Sequence, residues 1–154
     1  MFKKNIIGVD LLSALLILVG CSGKQLSNIE IIEGSYNTDL GLITISKDKK
    51  LVGFEGSGII YFKEDADKFN KSKVEYYFGS NSDKNELKEN EAIVSIGVPV
   101  SGHLDRYIYK IEWSGSDKTK KVDSITITNT SKKTNGFDKS SAYKKYSGVR
   151  VQNK

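Results

Sequence analysis

The sequence predicts an all-β fold, an antiparallel sandwich or barrel of about eight to nine short strands with at most one or two short helices. Three observations carry that prediction. Apolar residues after position 28 come in short bursts separated by Gly, Asn, Ser, Asp and Lys. Within the bursts β-branched and aromatic residues alternate with polar ones, the period of a half-buried strand. Helical spacing is scarce, and 134 residues beyond the leader (154 less 20) suffice for one domain with its own core.

Strands are expected at residues 29–33, 42–46, 51–55, 58–63, 73–78, 92–98, 107–114, 122–128 and, more weakly patterned, 143–151. Ile43 and Ile45 flank Thr44, and Ile125 and Ile127 sit among Ser124, Thr126 and Thr128. Tyr107, Tyr109, Ile111 and Trp113 share one strand face, leaving Ile108, Lys110 and Glu112 on the other. Residues 47–50 and 115–121 read as strand connections, and Gly53, Gly56 and Gly58 as turn or bulge positions. Ile59, Ile60, Tyr61 and Phe62 cannot all face one core, so that strand is covered on both faces or leaves aromatics exposed. Tyr77, opposite in parity to Tyr76 and Phe78, is the candidate exposed aromatic for binding. Phe62, Ala66 and Phe69 allow two amphipathic turns over 62–71, and 82–91 reads equally as a short helix or a polar loop.

The first 21 residues are of another kind. Lys3 and Lys4 precede an apolar run from Ile6 to Val19, broken by Asp10, which ends in Leu18-Val19-Gly20-Cys21. Between Asp10 and Gly20 lie nine residues, half of the roughly 20 that a membrane-spanning helix needs. Leu18-Val19-Gly20-Cys21 resembles the lipobox of bacterial lipoproteins. The resemblance covers residues 1–21 only, and implies cleavage between Gly20 and Cys21 with lipid attached to the Cys21 sulfur. It implies a signal peptide over 1–20; the residues beyond it read as a polar tether over 21–28 and a single β-rich domain over 29–154. Two acyl chains anchor stably where one binds marginally, so the expected location is the extracytoplasmic face of the cell membrane. Lysine outnumbers arginine 22 to two, and Asn and Ile abound, a bias that suggests an AT-rich, Gram-positive source.

Composition excludes much chemistry. One Cys and one His rule out an intramolecular disulfide and the common zinc frameworks. His103 has Asp105 nearby but no second His for a metal and no Gly-x-Ser-x-Gly nucleophile motif; it reads as a polar loop residue after a turn at Pro99. Asp65-Ala66-Asp67 starts like a calcium loop but has Asn70 and Tyr76 where Gly and Glu belong. Glu64 with Asp65, and Glu89 with Glu91, read as solvated loop carboxylates. No catalytic residue, metal or cofactor is expected.

Charge is distributed unevenly. Residues 21–116 hold 12 basic and 15 acidic side chains, and residues 117–154 hold 10 and 3. Lys118, Lys120, Lys121, Lys132, Lys133, Lys144 and Lys145 are the candidate contacts to an anionic surface, either lipid headgroups or wall polymer. Nucleic acid is not an expected partner, since base-reading arginines are nearly missing. The function expected is a lipid-anchored, non-enzymatic binding module with an unidentified ligand. The alternatives are an immunity or inhibitor lipoprotein with one protein partner, and a cell-envelope enzyme or enzyme accessory.

Overall fold

A computed structural model describes residues 23–68, 87–115, 117–130 and 144–152. The elements, in order, are α1 (Asn28–Ile32), β1 (Gly34–Thr38), β2 (Gly41–Ile45), β3 (Lys50–Gly53), β4 (Gly56–Phe62), α2 (Lys63–Ala66), β5 (Glu91–Val100), β6 (His103–Trp113), β7 (Ser124–Asn129) and β8 (Lys145–Arg150). Every strand pairs antiparallel with its neighbours in sequence, and β1 also pairs with β8, Tyr36 opposite Arg150. The result is a closed, eight-stranded up-and-down barrel. Closure leaves no edge strand to recruit another chain, which settles the choice between sandwich and barrel.

Alternation decides what points inward. Ile43 and Ile45, Ile60 and Phe62, Val94 and Ile96, and Ile125 and Ile127 are buried in one core. Tyr109, Ile111 and Trp113 join them from β6, the face expected from sequence. The Phe62 and Trp113 rings meet edge to face at 6.1 Å, a preferred aromatic geometry. An eight-stranded barrel is just wide enough for its side chains to fill it, and this one is filled with aliphatic and aromatic groups.

Residues 60–62 are split between two cores, and Ile59 is exposed. Ile60 and Phe62 face inward, whereas Tyr61 packs outside against Ala66, Leu87, Ile93 and Ile108. Lys49 holds this second cluster to the barrel, since its ammonium lies 2.7 Å from Asp65 Oδ2 and 5.3 Å from the Phe62 ring centre.

Several expectations need correction. Residues 29–33 form α1 and not a strand. Ser27 precedes that helix, and the Glu30 carboxylate accepts hydrogen bonds from the Ser27 amide and hydroxyl, both at 2.8 Å. This start signal overrides the β-branched composition, and the Ser27 bonds hold the Glu30 carboxyl below its usual range. Strand β1 was not expected, because Tyr36 is its one buried side chain. The strand read over 51–55 ends at Gly53, with Phe54 and Glu55 forming a two-residue turn. Pro99 lies inside β5 opposite Leu104, and the turn is Ser101-Gly102 instead. Helix α2 ends at Ala66, short of the helix expected over 62–71, of which residues 69–71 lie outside the described residues. Glu91 is 4% exposed, contrary to the solvated-loop reading: its carboxylate accepts from the Lys88 amide at 3.0 Å and lies 3.4 Å from Lys110 Nζ. The expected strand over 73–78, with Tyr77, lies outside the described residues.

Candidate functional site

The two ends of the barrel differ, and each holds side chains of interest. At one end lie α1, the β2–β3 turn, the β6–β7 connection and the chain following β8. At the other lie the β1–β2, β3–β4 and β5–β6 turns.

Arg150 organises the α1 end. Its guanidinium donates to the backbone carbonyls of Val122, Glu33 and Ile31 and, at 2.7 Å, to the Tyr36 hydroxyl. Tyr36 in turn donates to the Ile32 carbonyl at 2.7 Å. The helix, the β6–β7 connection and both closing strands are thus fastened by one side chain.

The segment before α1 lies along the β6–β7 connection. The Leu26 amide donates to the Lys118 carbonyl at 2.7 Å, Leu26 packs on the core, and Gly23 runs beside Thr119. Residues 26–28, the end of the segment read as a tether, are already part of the fold. Lys118, Lys120 and Lys121 are exposed on this loop. Lys120 lies 3.6 Å from Asp117 and Lys121 2.7 Å from Glu33, so two of the three carry an acidic partner. Hydrogen bonds from Thr119 hold the Asp117 carboxyl below its usual range.

Lys145 is not part of that cluster. It opens β8 opposite Thr128, four residues or about 13 Å along β7 from Ser124, and Lys144 precedes it. Cys21, Gly20, Lys132 and Lys133 lie outside the described residues. Of the seven candidate lysines, the described ones lie toward two ends of the barrel.

The far end is an aromatic mouth. Phe54 stacks on Tyr109 with ring centres 5.1 Å apart and planes 22° apart, and lies 6.2 Å from the Tyr146 ring. Lys144 Nζ stands 5.4 Å from the Tyr146 centroid. Tyr109 and Tyr146 are 7% and 5% exposed. Only Tyr109 carried a sequence signal, its strand alternation. Phe54 had none, because a Gly-Phe-Glu-Gly stretch is not a usual hairpin turn.

Burial pushes the phenols of Tyr36 and Tyr109 up to about 12. An unfolded tyrosine ionises near pH 10, so the folded chain holds protons that the unfolded chain has released between pH 10 and 12. Stability is therefore complete below pH 10 and falls as pH rises toward 12, by roughly 2 kcal/mol per tyrosine. Urea midpoints at pH 9 and pH 11.5, beside the tyrosinate absorbance, check this; equal midpoints would refute it.

Catalytic geometry is not assembled among the described residues. His103 is exposed at the start of β6 with Nε2 3.2 Å from Asp105 Oδ1. Glu91 and Glu112 flank Lys110, at 3.4 and 3.2 Å, and the carboxylates outweigh burial in raising the lysine's proton affinity. No cluster of three or more His, Cys, Asp or Glu able to hold a metal occurs among the described residues, nor any helix long and apolar enough to cross a membrane. No family model matches the chain. No curated protein and no solved structure matches it either.

Proposed function

We propose that this chain is a lipid-anchored extracytoplasmic lipoprotein whose mature part is a non-enzymatic binding module, seated with the α1 end of its barrel against the membrane. The observation that carries this reading is the course of the chain before α1. Gly23 is beside Thr119, and Cys21 is two residues earlier, at most about 7 Å of extended chain. A lipid on Cys21 would therefore hold the loop of Lys118, Lys120 and Lys121 at the headgroups, where each lysine near an anionic surface contributes about 1 kcal/mol. The ion pairs to Asp117 and Glu33 reduce that contribution, so the lipid supplies most of the anchoring.

Metabolic labelling with a fatty-acid probe tests the reading. Label and membrane fractionation are expected for the wild type and to be lost in Cys21→Ala, while Lys118→Gln/Lys120→Gln/Lys121→Gln keeps its label. Equal labelling of wild type and Cys21→Ala would overturn it.

An immunity or inhibitor role is favoured by a different observation. The outer wall of β3 to β6 exposes Val52, Ile59 and Leu104 around a trough floored by Gly58, Ser95 and Gly97. Apolar side chains exposed together on a wall suit a protein partner. In-cell crosslinking at low and high salt separates the two roles: one protein partner that persists at high salt supports inhibition, and diffuse, salt-sensitive neighbours support surface binding.

A further inference from the structure

The Arg150 guanidinium is a part-buried cation whose hydrogen bonds all go to neutral groups, the carbonyls of Ile31, Glu33 and Val122 and the Tyr36 hydroxyl. Buried charges are ordinarily paired with an opposite charge. Among the described residues no carboxylate forms an ion pair with Arg150. Asp123 acts on the Tyr36 phenol from a distance, but it neither pairs with the guanidinium nor lines the cavity beside it. The charge is hydrogen-bonded and has no counter-ion.

That cavity, of about 510 Å³, is at the α1 end and has the size of a small-ligand site. Glu33 and Gly34 line it from the start of β1, Lys121 from the β6–β7 connection, and Arg150 and Gln152 from β8 and the chain after it. A guanidinium has five N–H donors, and the four bonds just named leave one on Nη1. Nη1 lies against Gly34, where any Cβ would collide with it. The Lys121 ammonium shares the cavity, 2.7 Å from Glu33. Two cations and one carboxylate therefore line it, so one further negative charge balances the set.

We infer that this cavity binds the phosphodiester of an anionic phospholipid headgroup, whose free oxygens accept from Arg150 Nη1 and from the Lys121 ammonium. Guanidinium and ammonium are the usual phosphate partners. A diester brings the single charge that the cavity lacks, whereas a monoester brings nearly two and meets Glu33. The inference rests on the anchored reading, in which the cavity's end of the barrel faces the headgroups. A lipid on Cys21 alone is one point about which the barrel can turn; a headgroup held by Arg150 and Lys121 fixes the face that the barrel shows the bilayer.

The test uses the full chain in neutral detergent micelles, 15N-labelled at arginine and titrated with dihexanoylphosphatidylglycerol. The chain has two arginines, Arg106 and Arg150, and Arg106 lines the trough on the outer wall, so its Nε–H signal is the internal reference. A saturable shift of the Arg150 signal alone is expected. Lys121→Gln should weaken binding about fivefold, and Glu33→Gln should tighten it about threefold, opposite signs that a general loss of structure does not produce. Arg150 itself stays in place, because its bonds hold the α1 end together. Dihexanoylphosphatidylcholine, whose choline cancels the phosphate charge, should bind more weakly, and free glycerophosphoglycerol should compete with the lipid. No saturable shift, equal shifts of both arginines, or unchanged affinity in both variants would overturn the inference. Binding of glycerophosphoglycerol without binding of the lipid would overturn the headgroup as its source. Failure here with Cys21 labelling intact removes the headgroup site alone; binding without labelling removes the anchored reading alone.

Discussion

Arg150→Ala is expected to destabilise the protein by about 3 kcal/mol or more, the cost of removing one partner from a part-buried hydrogen-bonded charge. The substitution takes the guanidinium from the carbonyls of Glu33 and Val122, leaves the Ile31 carbonyl with the Val122 amide alone and the Tyr36 hydroxyl with the Ile32 carbonyl alone, and removes the cation stacked 4.9 Å from the Tyr36 ring. The Ile31 and Glu33 carbonyls end α1, where helices leave acceptors without intrahelical donors. Arg150→Lys keeps the charge but not the planar fork, so it should recover less than half of the loss. Urea unfolding compares the three proteins. A loss below about 0.5 kcal/mol for Arg150→Ala, the range of ordinary surface changes, would remove Arg150 from its fastening role.

Gly58→Ala carries the second large effect, and its cause is close approach. A Cβ at position 58 would sit on the carbonyl oxygen of Ser95 and 2.8 Å from its carbon, across the β4–β5 pair. Backbone cannot rotate away as a side chain can, so β4 and β5 must separate along one of the longer ladders of the barrel. The expected loss is about 3 kcal/mol, at the upper end for overpacking. Gly148→Ala is the control. There the nearest atoms are side-chain carbons of Ile125, Tyr36 and Thr38 at 3.1, 3.3 and 3.4 Å, and the loss should stay near 1 kcal/mol. Similar losses at both positions in thermal unfolding would show that backbone contact is not the cause.

The strand content was legible because burial follows a period of two wherever a strand carries two or more inward apolar residues. β2, β4, β5, β6 and β7 meet that condition and were found within a few residues of their observed ends. β1 does not, because Tyr36 alone faces inward. Closure of the barrel depends on β1, so the sequence could not separate barrel from sandwich. Helix α1 was signalled by Ser27 with Glu30 three residues on, but Ile29, Ile31 and Ile32 carry strand propensity and the two signals conflict. The fastening by Arg150 was invisible for another reason: its partners are 28 to 119 residues away, a distance no local pattern spans. The mouth was half legible. Tyr109 has its strand parity, whereas Phe54 reaches Tyr109 only through a turn that standard turn chemistry disfavours.

Barrel closure has a consequence for the order of events in folding. β1 is the first strand made and β8 the last, and the side chains that join them, Tyr36 and Arg150, are 114 residues apart. Each of the other pairings forms between neighbours in sequence and can zip locally. The closing pair must wait for almost the whole chain and bears the entropy of the longest loop. Until then β1 has one unpaired edge, α1 has no guanidinium to hold its carbonyls, and the meander is an open sheet. Folding is therefore gated by the last strand, so a ribosome stalled short of residue 145 carries a chain able to pair edge to edge with its neighbours.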